Sequence, residues 1–158
     1  MKLFLKCMLK VIVLFFICGS LYYNIELLYR GYSHISMFLL AGMCGIVLID
    51  PINDIFSFEL DFLKQIAIST VLCTIAEGLC GLLVNVLLGL NVWDYSNIPG
   101  TFFFGQCNIF FMSAWVFIVA AGILICDFIN YYWFEFEPCP YYKINGRVIL
   151  KFKNRTVR

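Results

Sequence analysis

The 158-residue chain is 63% hydrophobic and 18% aromatic but only 13% charged, and its formal net charge is +1. A soluble domain has about 45–50% apolar and about 25% charged residues, so this composition excludes an ordinary soluble fold, which could not hide so much apolar surface from water. The length indicates one compact unit. We therefore expect an all-α integral membrane bundle of about four transmembrane helices in residues 1–134, followed by a basic cytoplasmic tail in residues 135–158.

Four apolar stretches are candidates for membrane spans, because a helix needs about 20 mostly apolar residues to cross the hydrocarbon core. The first follows Lys2, Lys6 and Lys10, and since no small-residue cleavage site follows it we interpret it as an uncleaved span rather than a signal peptide. The second is shorter than the usual limit of about 17 residues, so it either crosses fully or is a tilted or re-entrant segment. The four predicted spans are residues 11–28, 35–49, 65–90 and 102–126.

The connections between these spans also carry predictions. The first loop, around Arg30, is so short that the first two helices must form a tight antiparallel hairpin. In the third loop, Trp93 and Tyr95 suit the membrane interface, where amphipathic rings sit at headgroup level. The second loop has polar residues at helical spacing, which predict a short cytoplasmic amphipathic helix on the inner membrane surface or against a partner. Those polar residues are Asp54, Ser57, Asp61 and Lys64.

The basic residues predict the orientation of the bundle. With four spans, all of them except Arg30 fall on the side that carries both termini, so the positive-inside rule places both termini in the cytoplasm. In the basic tail, Asn145-Gly146 separates two β-prone runs, which is a strong signal for a β-hairpin. A lone hairpin is marginal in water, so we expect this one to rest on the membrane surface or on a partner.

The most informative residue is Glu77, near the middle of the third predicted span, because a charged side chain in a bilayer needs a partner or a role. Gly81, Asn85 and Gly89 follow at four-residue steps and form a small, polar stripe suited to face another helix. One interpretation is a polar pathway or binding pocket with Glu77 at its centre. The other is structural, with hydrogen bonds that fix the packing of the helices.

Further polar residues lie near the opposite, outer side. Glu26 and Arg30 stand four residues apart and are predicted to pair, with Asp94 as a second potential partner for Arg30. In the fourth predicted span, Gln106 and Ser113 stand seven residues apart and are expected to share a helix face.

Sequence motifs argue against soluble catalysis. The chain has no G-x-x-x-x-G-K-[ST] phosphate loop, no G-x-S-x-G and no H-E-x-x-H, and only Glu26, His34 and Glu77 are candidates for intramembrane catalysis. Its eight cysteines include no C-x-x-C pair and lie mostly in apolar runs, which is typical of buried apolar side chains. We therefore expect no enzyme activity, no cofactor and no metal. The basic tail favours anionic lipid over nucleic acid as its partner.

Two stretches resemble a known family. They are residues 30–40, RGYSHISMFLL, and residues 90–99, LNVWDYSNIP, the second followed by GQC at residues 105–107. Both are similar to the ABC-transporter type IV family, also called CmpB-like permeases, and so is the aromatic exit at residues 126–132. The resemblance covers most of residues 20–142 and implies a permease subunit of a bacterial cell membrane. The motif residues that carry it are Trp93, Asp94, Tyr95 and Ser96.

Two functional hypotheses remain open. The first is a permease-like subunit of a transport system, which acts as a homo-oligomer or with a separate membrane or ATPase partner because four spans form only a thin pathway. Residues 54–64 are then the expected docking site for that partner. The alternative is a membrane accessory or sensor protein that binds a protein or lipid without transporting anything.

Overall fold

The computed structural model describes residues 1–155, and it begins with two long antiparallel helices. Helix α1 (Lys2–Arg30) ends where Gly31 adopts a left-handed conformation, with φ 77°, which favours glycine. Helix α2 (Ile35–Cys44) begins after His34, whose ring accepts a hydrogen bond from a backbone N–H of the first turn. The predicted tight hairpin between the first two helices is therefore confirmed.

The second helical segment is longer than the sequence suggests. A π-helical stretch (Gly45–Ile49) continues α2, and a one-turn helix α3 (Ile52–Phe56) follows, so that the segment Ile35–Phe56 has 22 residues and is long enough to cross a bilayer. The predicted amphipathic helix over residues 54–64 is wrong. The chain breaks at Ser57, which has φ 59°, so the polar positions on either side belong to different helices.

Helix α4 (Phe62–Gly81) is the core of the third long segment. Asp61 caps its first turn by accepting a hydrogen bond from a backbone N–H, and a π-helical stretch (Leu82–Leu87) extends it. The segment ends earlier than predicted because Gly89, with φ 64°, turns the chain away. Gly89 therefore lies outside the predicted polar stripe and has no neighbour for an added side chain.

The connection to the last long helix, residues 88–108, is a folded loop rather than the start of a helix. Strands β1 (Thr101–Phe102) and β2 (Cys107–Asn108) pair in antiparallel fashion, and positive φ angles at the residues between them reverse the chain. Helix α5 (Ile109–Phe128) then begins, with the Asn108 side chain as its cap, and a π-helical stretch (Ile129–Trp133) extends it. The predicted start of the fourth span at residue 102 is therefore wrong, because β1, a turn and β2 precede the helix, which begins at Ile109.

The predicted C-terminal β-hairpin is confirmed. Strands β3 (Tyr141–Ile144) and β4 (Arg147–Lys151) pair around Asn145 and Gly146, both of which have positive φ as a tight hairpin turn requires. The hairpin packs against its own bundle, because the Tyr142 side chain is fully buried and its hydroxyl donates to Asp127 of α5.

The bundle has two distinct ends. At the tail end, Lys10 of α1 forms a 2.8 Å ion pair with Asp50, and Lys143 of the tail pairs with Glu59. The N-terminal half of α1, residues 50–61 and the C-terminal tail therefore meet. At the loop end, Arg30 of α1 donates to the Val92 carbonyl across 3.4 Å, so the α1–α2 turn meets residues 88–108. Within residues 1–155, the basic residues that the sequence assigns to one side accordingly share one end, and Arg158 lies outside the described residues.

Within residues 1–155, four helical segments are long and apolar enough to span a membrane: Lys2–Arg30, Ile35–Phe56, Phe62–Leu87 and Ile109–Trp133. Their outward faces carry large apolar side chains, such as Leu79 at 56% exposure and Phe117 at 76%. In water these faces would leave a contiguous apolar surface uncovered, whereas lipid accommodates them.

Close approach between α1 and α2 depends on glycine. A Cβ at Gly19 of α1 would lie 2.7 Å from the Phe38 carbonyl oxygen, and one at Gly42 of α2 would lie 2.7 Å from the Phe15 ring. These contacts are too short for any side chain larger than hydrogen. Small residues that let two backbones approach are the usual means of packing helices in lipid.

We predict that Gly42→Ala lowers the free energy of unfolding by about 1–3 kcal/mol, because the added methyl overlaps the Phe15 ring and forces α1 and α2 apart. Reversible unfolding in mixed detergent micelles measures the change. Gly122→Ala is the matched control, since its methyl would meet only the Ile49 side chain, at 3.2 Å. Equal destabilisation by the two variants would contradict this packing.

Candidate functional site

A cavity of about 360 Å³ lies at the loop end of the bundle, between α1, α4, α5 and the folded loop. It combines aromatic walls with charged side chains, which is the usual character of a ligand pocket: mostly apolar with a few convergent polar groups. Its volume falls in the range of pockets that hold small molecules. Its lining is Tyr22, Ile25, Glu26, Tyr29, Arg30, Glu77, Tyr95, Phe110, Phe111, Ala114, Trp115 and Ile118.

Glu77 of α4 is the most buried charged group of this cavity, with 2% of its surface exposed. Trp115 Nε1 of α5 donates to one carboxylate oxygen at 2.9 Å, and the Tyr95 hydroxyl donates to the other at 3.5 Å. The carboxylate therefore joins α4, α5 and the folded loop. The structure is compatible with both interpretations of Glu77 from the sequence, as part of a binding pocket and as a packing residue. The same carboxyl group lines the cavity and holds the surrounding elements together.

The predicted pair between Glu26 and Arg30 is confirmed, with 3.0 Å between Arg30 Nη2 and the Glu26 carboxylate. The Ser33 hydroxyl also donates to Glu26, and Arg30 donates to the backbone carbonyls of Tyr32 and Val92. Both charges are thus tied to the turn that closes the loop end, and within the cavity they compensate each other.

Asp94 does not pair with Arg30 as the sequence suggested. Its carboxylate accepts from the backbone N–H of Ser96 at 2.8 Å and from the Ser96 hydroxyl at 2.6 Å. These bonds lower the pKa of the Asp94 carboxyl. A Cβ at Gly105 would overlap Ser96 Oγ, so this turn also requires the glycine, which has φ 80°.

Asn85 and Gln106 form a buried pair beside the cavity rather than part of its wall. Asn85 Nδ2 donates to Gln106 Oε1 at 2.7 Å, and Asn85 Oδ1 accepts from the backbone N–H of Val92. Trp93 Nε1 donates to the Gln106 backbone carbonyl at 3.1 Å. Gln106 also packs against Gly81, so the predicted stripe does face a polar partner at Gly81 and Asn85.

Two further predictions at this end are wrong. Trp93 is 6% exposed and packs inside the fold, so it is not an interfacial residue. Gln106 lies in the loop before β2, whereas Ser113 is exposed on α5 and donates to the Phe110 carbonyl, so the two do not share a helix face. The strand pair that replaces the start of the predicted helix separates Gln106 from the helix that carries Ser113.

The aromatic side chains that form the walls of this cavity were not predicted from the sequence. Tyr22 stacks on Trp115 with ring centroids 5.1 Å apart, and Tyr95 stacks on Phe111 at 4.5 Å. A signal for them exists, because Tyr22 stands four residues before Glu26 and Phe111 four residues before Trp115. Residues four apart share a helix face, so the helical spacing from Glu26 could have placed Tyr22 in the same wall.

A second, apolar cavity of about 200 Å³ adjoins the first, and Tyr22, Ile25, Trp115 and Ile118 line both. It extends the first cavity toward the middle of the bundle between α1, α2 and α5. Its remaining lining is aliphatic or thiol: Cys18, Leu21, Ala41, Cys44, Ile49, Ala121, Gly122 and Ile125.

A separate polar cluster, which was not predicted from the sequence, lies at the tail end. Asn130 donates to Asp50 at 2.7 Å and to Glu137 at 2.5 Å, while Asn53 donates to Asp127 at 2.8 Å. All five side chains are nearly or fully buried. They join the end of α5 to the α2–α3 connection and the tail, so this end is closed by hydrogen bonds.

Within residues 1–155, no group of three or more His, Cys, Asp or Glu side chains is arranged to hold a metal ion. The cysteines are free thiols, and Cys44, Cys73 and Cys126 are buried in the apolar core. The loop-end cavity itself presents charged groups, hydrogen-bonding groups and aromatic rings.

Comparisons of the chain with protein-family models, curated proteins and solved structures found no match. The resemblance of residues 20–142 to the ABC-transporter type IV family stays a prediction. The functional argument therefore depends on the geometry of the cavity.

We predict that the stability of the tail end falls as the pH rises. Burial, together with the neighbouring Asp127 carboxylate, raises the pKa of Glu137 from 4.5 to about 8. The folded state then binds a proton that the unfolded state releases, so this contribution is full below pH 4.5 and is lost as the pH rises through 8.

Thermal unfolding midpoints between pH 5 and pH 9 check this prediction, and Glu137→Gln should flatten their decline. Glu135→Gln is the matched control, because the Glu135 side chain is 63% exposed. An unchanged pH profile in Glu137→Gln would show that Glu137 does not carry the effect.

Proposed function

We propose that this chain is a polytopic membrane protein that binds a small ligand in the loop-end cavity. The observation that carries the proposal is a buried carboxylate, Glu77, in the wall of an aromatic cavity of about 360 Å³. Insertion of a charged side chain at the centre of a membrane helix costs about 2.5–3.5 kcal/mol, so such residues tend to have a function. Packing alone would not require an adjoining cavity.

Membrane residence and orientation are part of the proposal. The four apolar segments support insertion, and the basic residues of the tail end support a cytoplasmic position for both termini. The cavity then opens in the outer half of the bilayer. The family resemblance adds a bacterial cell membrane as the location. Lipid is a partner in this arrangement, and nucleic acid is not.

Ligand binding without transport is the better-supported role. Leu14, Cys73, Val119, Ile123 and Cys126 are each 0% exposed, and their positions along the helices lie between the loop-end cavity and the tail-end cluster. These side chains form a layer of the apolar core in the middle of the bundle. The accessory or sensor interpretation therefore accounts for the cavity without a further conformational change.

A permease-like subunit is the second candidate, and the two buried polar clusters at opposite ends of one bundle favour it. A transport cycle would have to separate the layer between them, with a homo-oligomer or a separate ATPase partner as the driving element. The surface around residues 54–64, expected to dock that partner, is already covered in part by the chain's own tail. Lys143 pairs with Glu59, and the Asn145 N–H donates to Asp61.

The proposed function predicts that the purified full-length chain retains a small molecule that a cavity-filling variant loses. Ala114 lines the cavity, so Ala114→Trp should occupy it and abolish retention. Val116→Trp is the matched control, because Val116 lies two residues away, is 40% exposed and does not line the cavity. Native mass spectrometry of protein released from mild detergent measures the bound mass.

Retention by the wild type and by Val116→Trp, but not by Ala114→Trp, supports binding in the cavity. Equal retention by all three, or none by the wild type, contradicts it. The retained compound is then tested in proteoliposomes: uptake that Ala114→Trp abolishes supports the permease-like subunit, and binding without uptake supports the accessory or sensor role.

A further inference from the structure

One of the two adjoining cavities contains charged groups and the other is apolar, so together they match a ligand that has a polar and an apolar part. The first contains Glu26, Arg30 and Glu77, whereas the second is lined by aliphatic, aromatic and thiol groups only. Tyr22 and Trp115 belong to both walls, so the polar and apolar spaces are in contact. A ligand with a polar head and an apolar chain would match both parts, whereas a wholly polar solute would leave the second part empty.

The charged residues of the first cavity indicate which charge the polar head group of the ligand should carry. Arg30 and Glu26 neutralise each other across 3.0 Å. Among residues 1–155, no Lys or Arg forms an ion pair with Glu77, whose hydrogen-bond donors are the neutral Trp115 and Tyr95. The cavity therefore contains one acidic group, Glu77, that has no basic partner among the described residues. A cationic head would supply the missing countercharge, and an anionic head would add repulsion in a medium that screens charge poorly.

The aromatic residues around Glu77 favour an organic cation in particular. Trp, Tyr and Phe rings attract cations through their electron-rich faces, and recognition of quaternary ammonium groups uses such rings. Tyr22, Tyr95, Phe111 and Trp115 all line the cavity that contains Glu77. An inorganic cation would instead require several oxygen ligands, and residues 1–155 contain no cluster of acidic side chains arranged to hold a metal.

We propose that the two cavities together bind a single-chain organic cation, with its ammonium group beside Glu77 and its hydrocarbon chain in the apolar cavity. This inference rests on the proposed function and names the class of ligand for the same site. The class includes alkylammonium compounds from solution and cationic lipids from the bilayer, which share this chemistry. Binding of a head group without a long chain would indicate entry from solution. Binding that requires the long chain would indicate entry from the bilayer.

Equilibrium dialysis of the full-length chain in glyco-diosgenin, a detergent without a flexible alkyl chain, tests the proposal with four radiolabelled probes. Dodecyltrimethylammonium carries both head and chain, and tetramethylammonium carries the head alone. Dodecyl sulfonate reverses the charge and dodecanol removes it. Protein-free micelles give the partition that is subtracted from each measurement.

We expect saturable binding of dodecyltrimethylammonium at one molecule per chain, and affinities for sulfonate and dodecanol that are lower by about tenfold or more. Glu77→Gln should weaken binding of both cations by about tenfold, while Asp54→Asn, an exposed acid at the other end, should leave it unchanged. Ala121→Leu, which fills the apolar cavity, should weaken binding of the dodecyl probe but not of tetramethylammonium.

Several results would overturn the inference. Equal binding of the sulfonate, or cation binding that Glu77→Gln leaves unchanged, would exclude a cationic head, and the charge series on the wild type decides this even if that variant fails to fold. If Ala121→Leu binds the dodecyl probe as tightly as the wild type does, the hydrocarbon chain of the probe does not occupy the apolar cavity. If no probe binds but the chain retains a compound that Ala114→Trp loses, the ligand class is wrong and the proposed function stands. If neither is found, both fail.

Discussion

The contact of the Glu77 carboxylate with Trp115 and Tyr95 is the interaction on which the loop end depends. A carboxylate inside an apolar bundle requires donors, and here the two donors come from α5 and from the folded loop. Both donors are themselves held by aromatic partners, Trp115 by Tyr22 and Tyr95 by Phe111. Glu77 thus fixes the rings that form the cavity wall, so its structural and binding roles coincide.

Helix pairing explains why the cavity lies where it does. Helices α1 and α2 approach closely through Gly19 and Gly42. Helix α4 is joined to α5 through Glu77, and to the folded loop through Gly78, which packs against Phe103 and Cys107. The cavities occupy the junction where α1 meets α5, which large rings bridge instead of close backbone contact. At the tail end, the ion pair of Lys10 with Asp50 joins α1 to the α2–α3 connection, and the hairpin docks on α5 through Tyr142 and Asp127.

Features set by local sequence could be predicted, and features set by tertiary pairing could not. The four apolar segments, the Glu26–Arg30 pair and the Asn145-Gly146 hairpin each follow from periodicity, spacing or turn chemistry over a few residues. The start of α5 could not be predicted. The apolar residues 102–104 resemble the beginning of a membrane helix, but the positive φ angles of Phe103 and Phe104 exclude a helix at this point. The tail-end cluster was missed because Asp50, Asn130 and Glu137 meet only after the helices pack.

The central claim is that Trp115 donates to a Glu77 carboxylate inside the bundle, and the indole N–H signals in ¹⁵N nuclear magnetic resonance test it most directly. The chain has three tryptophans, so Trp115→Phe assigns the signal of interest. Glu77→Gln should move the Trp115 signal upfield, because an amide oxygen is a weaker acceptor than a carboxylate, and should leave Trp133 unchanged. A Trp115 signal that stays in place in Glu77→Gln would contradict the account.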